Sequence, residues 1–508
     1  MGDGLESVHI GLRSEAAERG ELLLLGVRGA DEMNGLYELD LVFGREKGPL
    51  RATQIDALFA APCAVSLGPT RDDLVRGVLS ALRQVDTVAG EPAVYVARLV
   101  PTAALLTLSR TNRIFHDLTV PELAASVLSG YGLVPGKHFR VEGTKRDVRR
   151  EYIAQYQESD WDFLQRWLEH DGLSSWFEQT TAGERLVIAE AGAGSSRIAA
   201  PSAIGYRARS NKSTGGEATI WAWEKQRTRV SARSVVFDYN YRAPHVRLVA
   251  KAVADPMGFG TVMDYGGHFS TTPEAERFAT IRAEAIACRR LVYTGETDTP
   301  RVRAGHVFEF AGHHDEDHHG AYLVTRVDFS VGAHVPAPGI SDDTWRAGSH
   351  RYAARFTAVP SAARWRPELR TPKPRIHGVM NGHIDSDAAG EFAQIDEQGR
   401  YQVSVAFDSA HKQGVTMSRW IRMAQPYAGP GYGAHHPLHR GTEVLVAYVD
   451  GDPDRPVIVG AAPNPRTISP STRVNPTQSV TESATGVRIE MEDWSRPDGA
   501  ASEEPSRG

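Results

Sequence analysis

The stretch Ile395–Ser409, IDEQGRYQVSVAFDS, decides the fold. Tyr401, Val403, Val405 and Phe407 recur at every second residue, with Gln402, Ser404, Ala406 and Asp408 between them. Successive side chains of a strand point to opposite faces, so this alternation predicts a half-buried β-strand. Asp396–Gly399 ahead of it predicts a tight turn. No nucleophile stands beside a base, so what the stretch encodes is architecture.

Around it lie further strand candidates at Ile376–Asn381, Glu391–Ile395, Trp420–Pro426, Thr442–Val449 and Arg455–Ala461. With Tyr401–Phe407 they follow one another without helical periodicity, which predicts a small β-barrel. In VDGDPDRPVIVG, Asp450, Asp452, Pro453, Asp454 and Pro456 predict a rigid turn, the aspartates bonding their own backbone. Val444–Val449 is nearly all apolar and reads as a strand covered on both faces. Beyond Pro463, NPTQSV and TGVRIEMED predict two short strands, with Val487, Ile489 and Met491 on one face and Arg488, Glu490 and Glu492 on the other. One such ribbon cannot bury its apolar face alone and calls for partner chains. The last stretch, SRPDGAASEEPSRG, is polar and is expected to be disordered.

Toward the N-terminus, residues from about 5 to 105 read mainly as strands, among them ELLLLGVRG, LYELDLVFG and PAVYVARLV. Three helices follow. Thr119-Val120-Pro121-Glu122 is a capping box opening the first, which ends near Gly130. Ser159-Asp160-Trp161-Asp162 opens the second, with Trp161, Phe163, Leu164, Trp167 and Leu168 as its core stripe and Gly172 as its stop. Thr272-Pro273-Glu274 opens the third, running to about Arg290 with Phe278, Ile281 and Ala285 inward. All three are expected to cover sheets. Val335–Pro374 is rich in Pro, Ala, Ser and Arg and suggests a domain boundary, with Tyr352–Phe356 able to pair as a strand inside it.

The 508 residues imply two to four domains, and 41% hydrophobic with 24% charged residues describes an ordinary soluble composition. A net charge of −6 argues against a general nucleic-acid binder. Cys63 and Cys288 are too few and too far apart for a disulfide framework or a metal knuckle, and read as small buried hydrophobes. Met1–Glu6 has neither the basic nor the apolar segment of a signal peptide, and Leu22–Leu25 is too short to span a bilayer.

Three motifs, in order, are similar to those of VgrG-type spike proteins of type VI secretion systems and related contractile injection machines, kin of the phage tail hub and central spike. YQESDWDFLQRWLEHDGLSSWFE (Tyr156–Glu178) resembles the family's N-E-S-D-x-x-F-x-x-R-x-x-E-x-x-G-x-x-x-x-F signature, with Gln157 where Asn is common. IDEQGRYQVSVAFD resembles its T-D-x-x-G-R-V-x-V-x-F-x-W-D segment, and Ser418–Asn464 matches almost position by position. NPTQS resembles the opening of the needle.

The resemblance implies a mainly β chain with a few covering helices. Residues 1–370 would form a phage-hub-like region of two β-barrel-type subdomains, 371–465 an oligonucleotide/oligosaccharide-binding (OB) barrel, 466–494 the start of a trimeric β-prism needle, and 495–508 a disordered tail. It implies a non-enzymatic homotrimer, with Val444, Val446 and Tyr448 at the trimer interface. The trimer would sit on an inner tube protein among baseplate proteins and puncture a target membrane. It would carry effector cargo and a PAAR-type tip protein docked on Val487, Ile489, Met491 and Trp494. No cofactor and no nucleic acid is expected. Assembly in the bacterial cytoplasm would be followed by export with the machine. Only a few residues separate Asn464 from Asn475, so the lysozyme domain that some relatives insert there does not fit.

Three sharper chemical readings compete with this architecture. His313, His314, His318 and His319 could catch a zinc or nickel ion, but they lie where a hairpin loop is expected and nothing there fixes a tetrahedron. The pairs Glu158/Asp160 and Glu169/Asp171 could serve a cell-wall hydrolase, although capping and solvation explain them better. An OB barrel holding glycan or nucleic acid would use Arg419, Trp420 and Arg422, against which stand Asp450, Asp452 and Asp454. G-x-S-x-G, H-E-x-x-H and P-loop motifs are absent from the sequence.

Overall fold

The computed structural model describes residues 11–17, 21–68, 73–85, 92–142, 148–193, 195–198, 200–208, 218–332, 349–385, 394–409 and 420–494. The expected disordered tail 495–508, most of the expected strand Glu391–Ile395, and Arg419 lie outside them. The chain divides into two compact units. The first comprises Met1–Thr111, Asp117–Arg150 and Gln157–Lys373; the second comprises Asn112–His116, Glu151–Tyr156 and Pro374–Gly508. Among the described residues no helix is long and apolar enough to cross a membrane.

The first unit is built on a twelve-stranded sheet. Gly320–Gly332 pairs with Val307–Ala311, with Leu23–Glu32 and with Ser349–Pro360. Because Ser349–Pro360 also pairs with Leu291–Thr297, six strands close on themselves and abolish their edges. Trp223 stacks on Phe310 at 4.3 Å, and Phe308 meets Phe356 edge to face at 5.5 Å. Gly295 makes room for this packing, since a Cβ there would lie 2.4 Å from the Phe356 ring. The remaining strands extend from Leu23–Glu32 through Glu38–Arg45 and Ala93–Val100 as an open half-barrel.

One expectation for this unit is corrected, and another, the strand at Tyr352–Phe356, is met and lengthened. Helix α1, Ala52–Ala60, falls in the part read as strands; it buries only Leu58 and presents no apolar stripe that periodicity could reveal. The Pro/Ala/Ser/Arg-rich segment is not simply a boundary: Ser349–Pro360 completes the closed sheet, and Tyr352, Phe356 and Val359 are buried.

Helix α2, Val120–Gly130, opens with the expected reciprocal bonds between Thr119 and Glu122. Helix α3, Asp160–Asp171, is capped by Ser159 and stopped by Gly172 at φ +71°. Helix α4, Thr272–Ala287, takes Thr271 as its cap and buries Phe278, Ile281 and Ala285 against the sheet of Leu248–Val253, Arg233–Asp238 and Thr261–Tyr265. α3 is not a half-exposed cover: Gln165, Arg166, Glu169 and Asp171 are buried along with its apolar stripe.

In the second unit, five strands run in the order Trp420–Ile421, Tyr401–Val405, Val379–Asp385, Glu443–Tyr448 and Pro456–Ala461. Met423 bridges Ile458, with Ala424 N donating to Ile458 O at 2.8 Å, and this closes the barrel. Tyr401, Val403 and Val405 point into the core with Ile384, Ile421 and Ile458. The expected turn is present: Gly399 N donates to Asp396 O at 2.9 Å, and Asp396 Oδ1 accepts from the backbone of Gln398 and Arg400.

Candidate assembly surfaces

In the signature segment Tyr156–Glu178 the buried charges hold α3 inside the unit. Glu158 accepts from Arg166 Nε at 2.7 Å and Nη2 at 2.8 Å, both side chains being buried. Asp160 accepts from Thr111 Oγ1 at 2.9 Å and from the Tyr131 hydroxyl. Glu169 accepts from the backbone of Arg370 and Thr371 at 2.9 and 2.8 Å. Asp171 accepts from Arg150 at 2.8 Å. Burial alone would raise the Asp171 carboxyl, but Arg150 and His170 hold it well below the usual carboxylate range. Burial pushes His170 down to about 3, so its ring is neutral. These four carboxylates were expected to be solvated or capping; they are instead buried acceptors, because α3 is enclosed on all sides.

The histidine loop is organised by its own bonds. His313 Nδ1 accepts from Asp315 N at 3.1 Å, His319 Nε2 bonds the His313 carbonyl at 2.9 Å, and the His313 and His318 rings stack at 4.7 Å. One ring nitrogen each of His313 and His319 is thereby engaged with backbone. His314 is the fourth histidine, its ring 4.1 Å from that of His313.

Val444, Val446 and Tyr448 are buried in the core of the single chain's barrel. Their expected placement at a trimer interface is corrected: strand alternation turns them into the lumen, and the strand residues facing outward are Glu443, Leu445 and Ala447, with Val449 exposed in the turn that follows. Asp452 caps its own turn through Asp454 N, as expected. Asp454 Oδ1 accepts from Ala154 N at 2.7 Å, tying the turn to a segment 300 residues earlier within the same unit. That contact had no local signal.

Past the barrel, Gln478–Glu482 and Arg488–Glu492 pair as an antiparallel hairpin. Ser479 stands opposite Met491 and Thr481 opposite Ile489, so these share a face, while Val480 stands opposite Glu490 and Glu482 opposite Arg488 on the other. Val487, Ile489, Met491 and Trp494 are 68%, 65%, 63% and 58% exposed. The hairpin thus presents one apolar and one largely charged face.

Residues 30–335 match the family of the phage tail baseplate hub (GPD), and residues 392–462 match the type VI secretion system/phage-baseplate injector OB domain. The chain is 28% identical over 474 residues to the type VI secretion system spike protein VgrG1a of Pseudomonas aeruginosa, covering 90% of this chain and 70% of that protein. With VgrG5 of the same organism it shares 28% identity over 89% of its own length, but spans only 57% of that relative. It aligns with 34% of the actin cross-linking toxin VgrG1 of Vibrio cholerae, at 27% identity. Among solved structures, the E. coli c3393 protein, a type VI secretion component described as similar to the T4 tail proteins gp27 and gp5, superposes with a TM-score of 0.64. That match has 21% identity and covers 89% of this chain and all of that one. The closed barrel and half-barrel of the first unit, the OB barrel of the second and these matches together place the chain in the phage tail baseplate hub family, as a VgrG-type spike.

Proposed function

We propose that the protein is the trimeric, non-enzymatic hub and spike of a contractile injection machine, mounted on its inner tube and puncturing the target membrane with its tip. The observation that carries this reading is the hairpin Gln478–Glu492, whose apolar stripe finds no cover among the described residues. Three copies around an axis would bury Val487, Ile489 and Met491 as a plug and leave Arg488, Glu490 and Glu492 in water. The outward residues Leu445, Ala447 and Val449 would add barrel-to-barrel contact, in place of the lumenal set. Trp494, just beyond the stripe, offers a surface for a PAAR-type tip protein. Contacts to the tube and baseplate would come from residues before about 335. Effector cargo would be carried by the same trimer.

Light scattering should give a trimer at micromolar concentration; a monodisperse monomer would refute the reading. Co-purification with a PAAR-type protein should be lost on truncation after Pro463. Equal recovery from both forms would move the tip elsewhere.

A further inference from the structure

Residues 254–260, ADPMGFG, join the strands Leu248–Val253 and Thr261–Tyr265 across the start of Arg233–Asp238. The loop is held from within. Ala254 N and Asp255 N donate to Ala232 O at 2.9 and 3.2 Å, Phe259 N donates to Val230 O at 3.1 Å, and Ala232 N donates in return to Gly260 O at 3.1 Å. Asp255 is buried and closes the turn: its Oδ1 accepts from Met257 N and from Arg290 at 3.1 Å each, and its carbonyl accepts from Gly258 N at 2.9 Å. Gly258 is required on this course, since a Cβ there would lie 2.5 Å from Val230 O. Pro256 has no N–H, so every backbone donor from Ala254 to Phe259 is bonded within the protein.

What this frame holds out is apolar. Met257 and Phe259 are 75% and 81% exposed, and Val253, the last residue before the loop, is 70% exposed. Large apolar side chains gathered in water on a well-bonded loop mark a contact surface. The charge around them has one sign. Arg229 precedes Val230 and Arg233 follows Ala232; both are exposed, and neither pairs with an acid among the described residues. Asp255 is the one acid within the loop, and Arg290 and Arg227 both act on it.

We propose that the loop 254–260 is a membrane-docking tip, which seats Met257 and Phe259 at the boundary between headgroups and acyl chains of an anionic bilayer while Arg229 and Arg233 meet the lipid phosphates. Charge complementarity selects this occupant: the apolar tip and the unpaired cations lie at one end of the sheet, and a bilayer surface offers hydrocarbon and negative charge together. The bonded backbone selects it as well. A protein partner could satisfy open N–H groups, whereas the acyl region cannot, and this loop leaves none open from Ala254 to Phe259. A second copy brought tip to tip would set Arg229 and Arg233 against themselves. The inference stands on the first unit alone and is independent of the needle reading.

The test uses the full chain, sedimented with vesicles of equimolar phosphatidylglycerol and phosphatidylcholine or of phosphatidylcholine alone. The wild type should bind the anionic vesicles roughly tenfold or more tightly than the neutral ones, and less as salt is raised. The double variants M257S/F259S and R229E/R233E should each weaken binding roughly tenfold or more, with circular dichroism and lipid-free mass unchanged. Cys63 and Cys288 are buried, so Phe259→Cys can be labelled selectively with a nitrobenzoxadiazole probe, which should brighten on anionic vesicles. Undiminished binding by M257S/F259S, or a probe that stays dark at 259 while one on Val487→Cys brightens, would overturn the proposal. So would a change of lipid-free mass in M257S/F259S, which would assign the loop to contact between copies. Light scattering without lipid reports the trimer separately, so failure of either reading is distinguishable from failure of the other.

Discussion

Glu158 and Arg166 form a buried bidentate ion pair, and such pairs are costly to break from one side. Glu158→Ala should therefore lower stability by roughly 3–5 kcal/mol in chemical denaturation, whereas the exposed pair Arg98–Asp40 should be worth less than about 1 kcal/mol. Gly172 is constrained twice: its φ is +71°, and a Cβ would sit 2.4 Å from Ile281 Cγ2. Gly172→Ala should cost about 1–3 kcal/mol in chemical denaturation. Asp31 carries a signature in pH. Burial raises its carboxyl from 3.8 to about 6, against the lowering influence of Arg303. The folded state therefore holds this proton more tightly than the unfolded chain, and stability falls as pH rises from about 4 through 6. Asp31→Asn should be more stable than wild type at pH 8 by about 1–3 kcal/mol, the gap closing toward pH 4 in thermal melts.

At the scale of elements, the barrel and the hairpin separate core from contact surface. The Tyr401 ring is buried in the barrel core, while its hydroxyl bonds His435 Nε2 at 2.7 Å and accepts from Leu438 N at 3.1 Å at the partly buried rim. Tyr401→Phe should cost about 1–3 kcal/mol by leaving those groups unmatched. Serine at Val487, Ile489 and Met491 together should leave the barrel's melting unchanged, since none of the three belongs to its core. The same triple variant should lose the trimer, or the tip protein, in light scattering and co-purification. If the assembly survived intact, the apolar stripe would be surface without function.

On the scale of the whole molecule, the second unit is discontinuous in sequence. Ile114 and Tyr156 pack against the barrel core, and Asp454 holds Ala154. A fragment beginning at Pro374 should accordingly melt lower than the barrel does in the full chain, and calorimetry of the two would measure the difference. Much of the rest was written locally. Alternation gave Tyr401–Val405, the Asp396–Gly399 turn and the two faces of the hairpin; capping residues gave both ends of α3; and the three ordered motifs pointed to the family. These are legible because a strand's period, a cap and a turn each depend on neighbours a few residues away. Tertiary structure alone decided that α3 is enclosed on every side, and so that its acids are buried acceptors rather than solvated caps. It decided too that Val444, Val446 and Tyr448 face a lumen instead of another subunit, since an apolar run does not say which face lies inside. Closure through Ser349–Pro360, and the tie from Asp454 to Ala154, join segments far apart in the chain, and contacts of that span leave no periodic trace in a sequence.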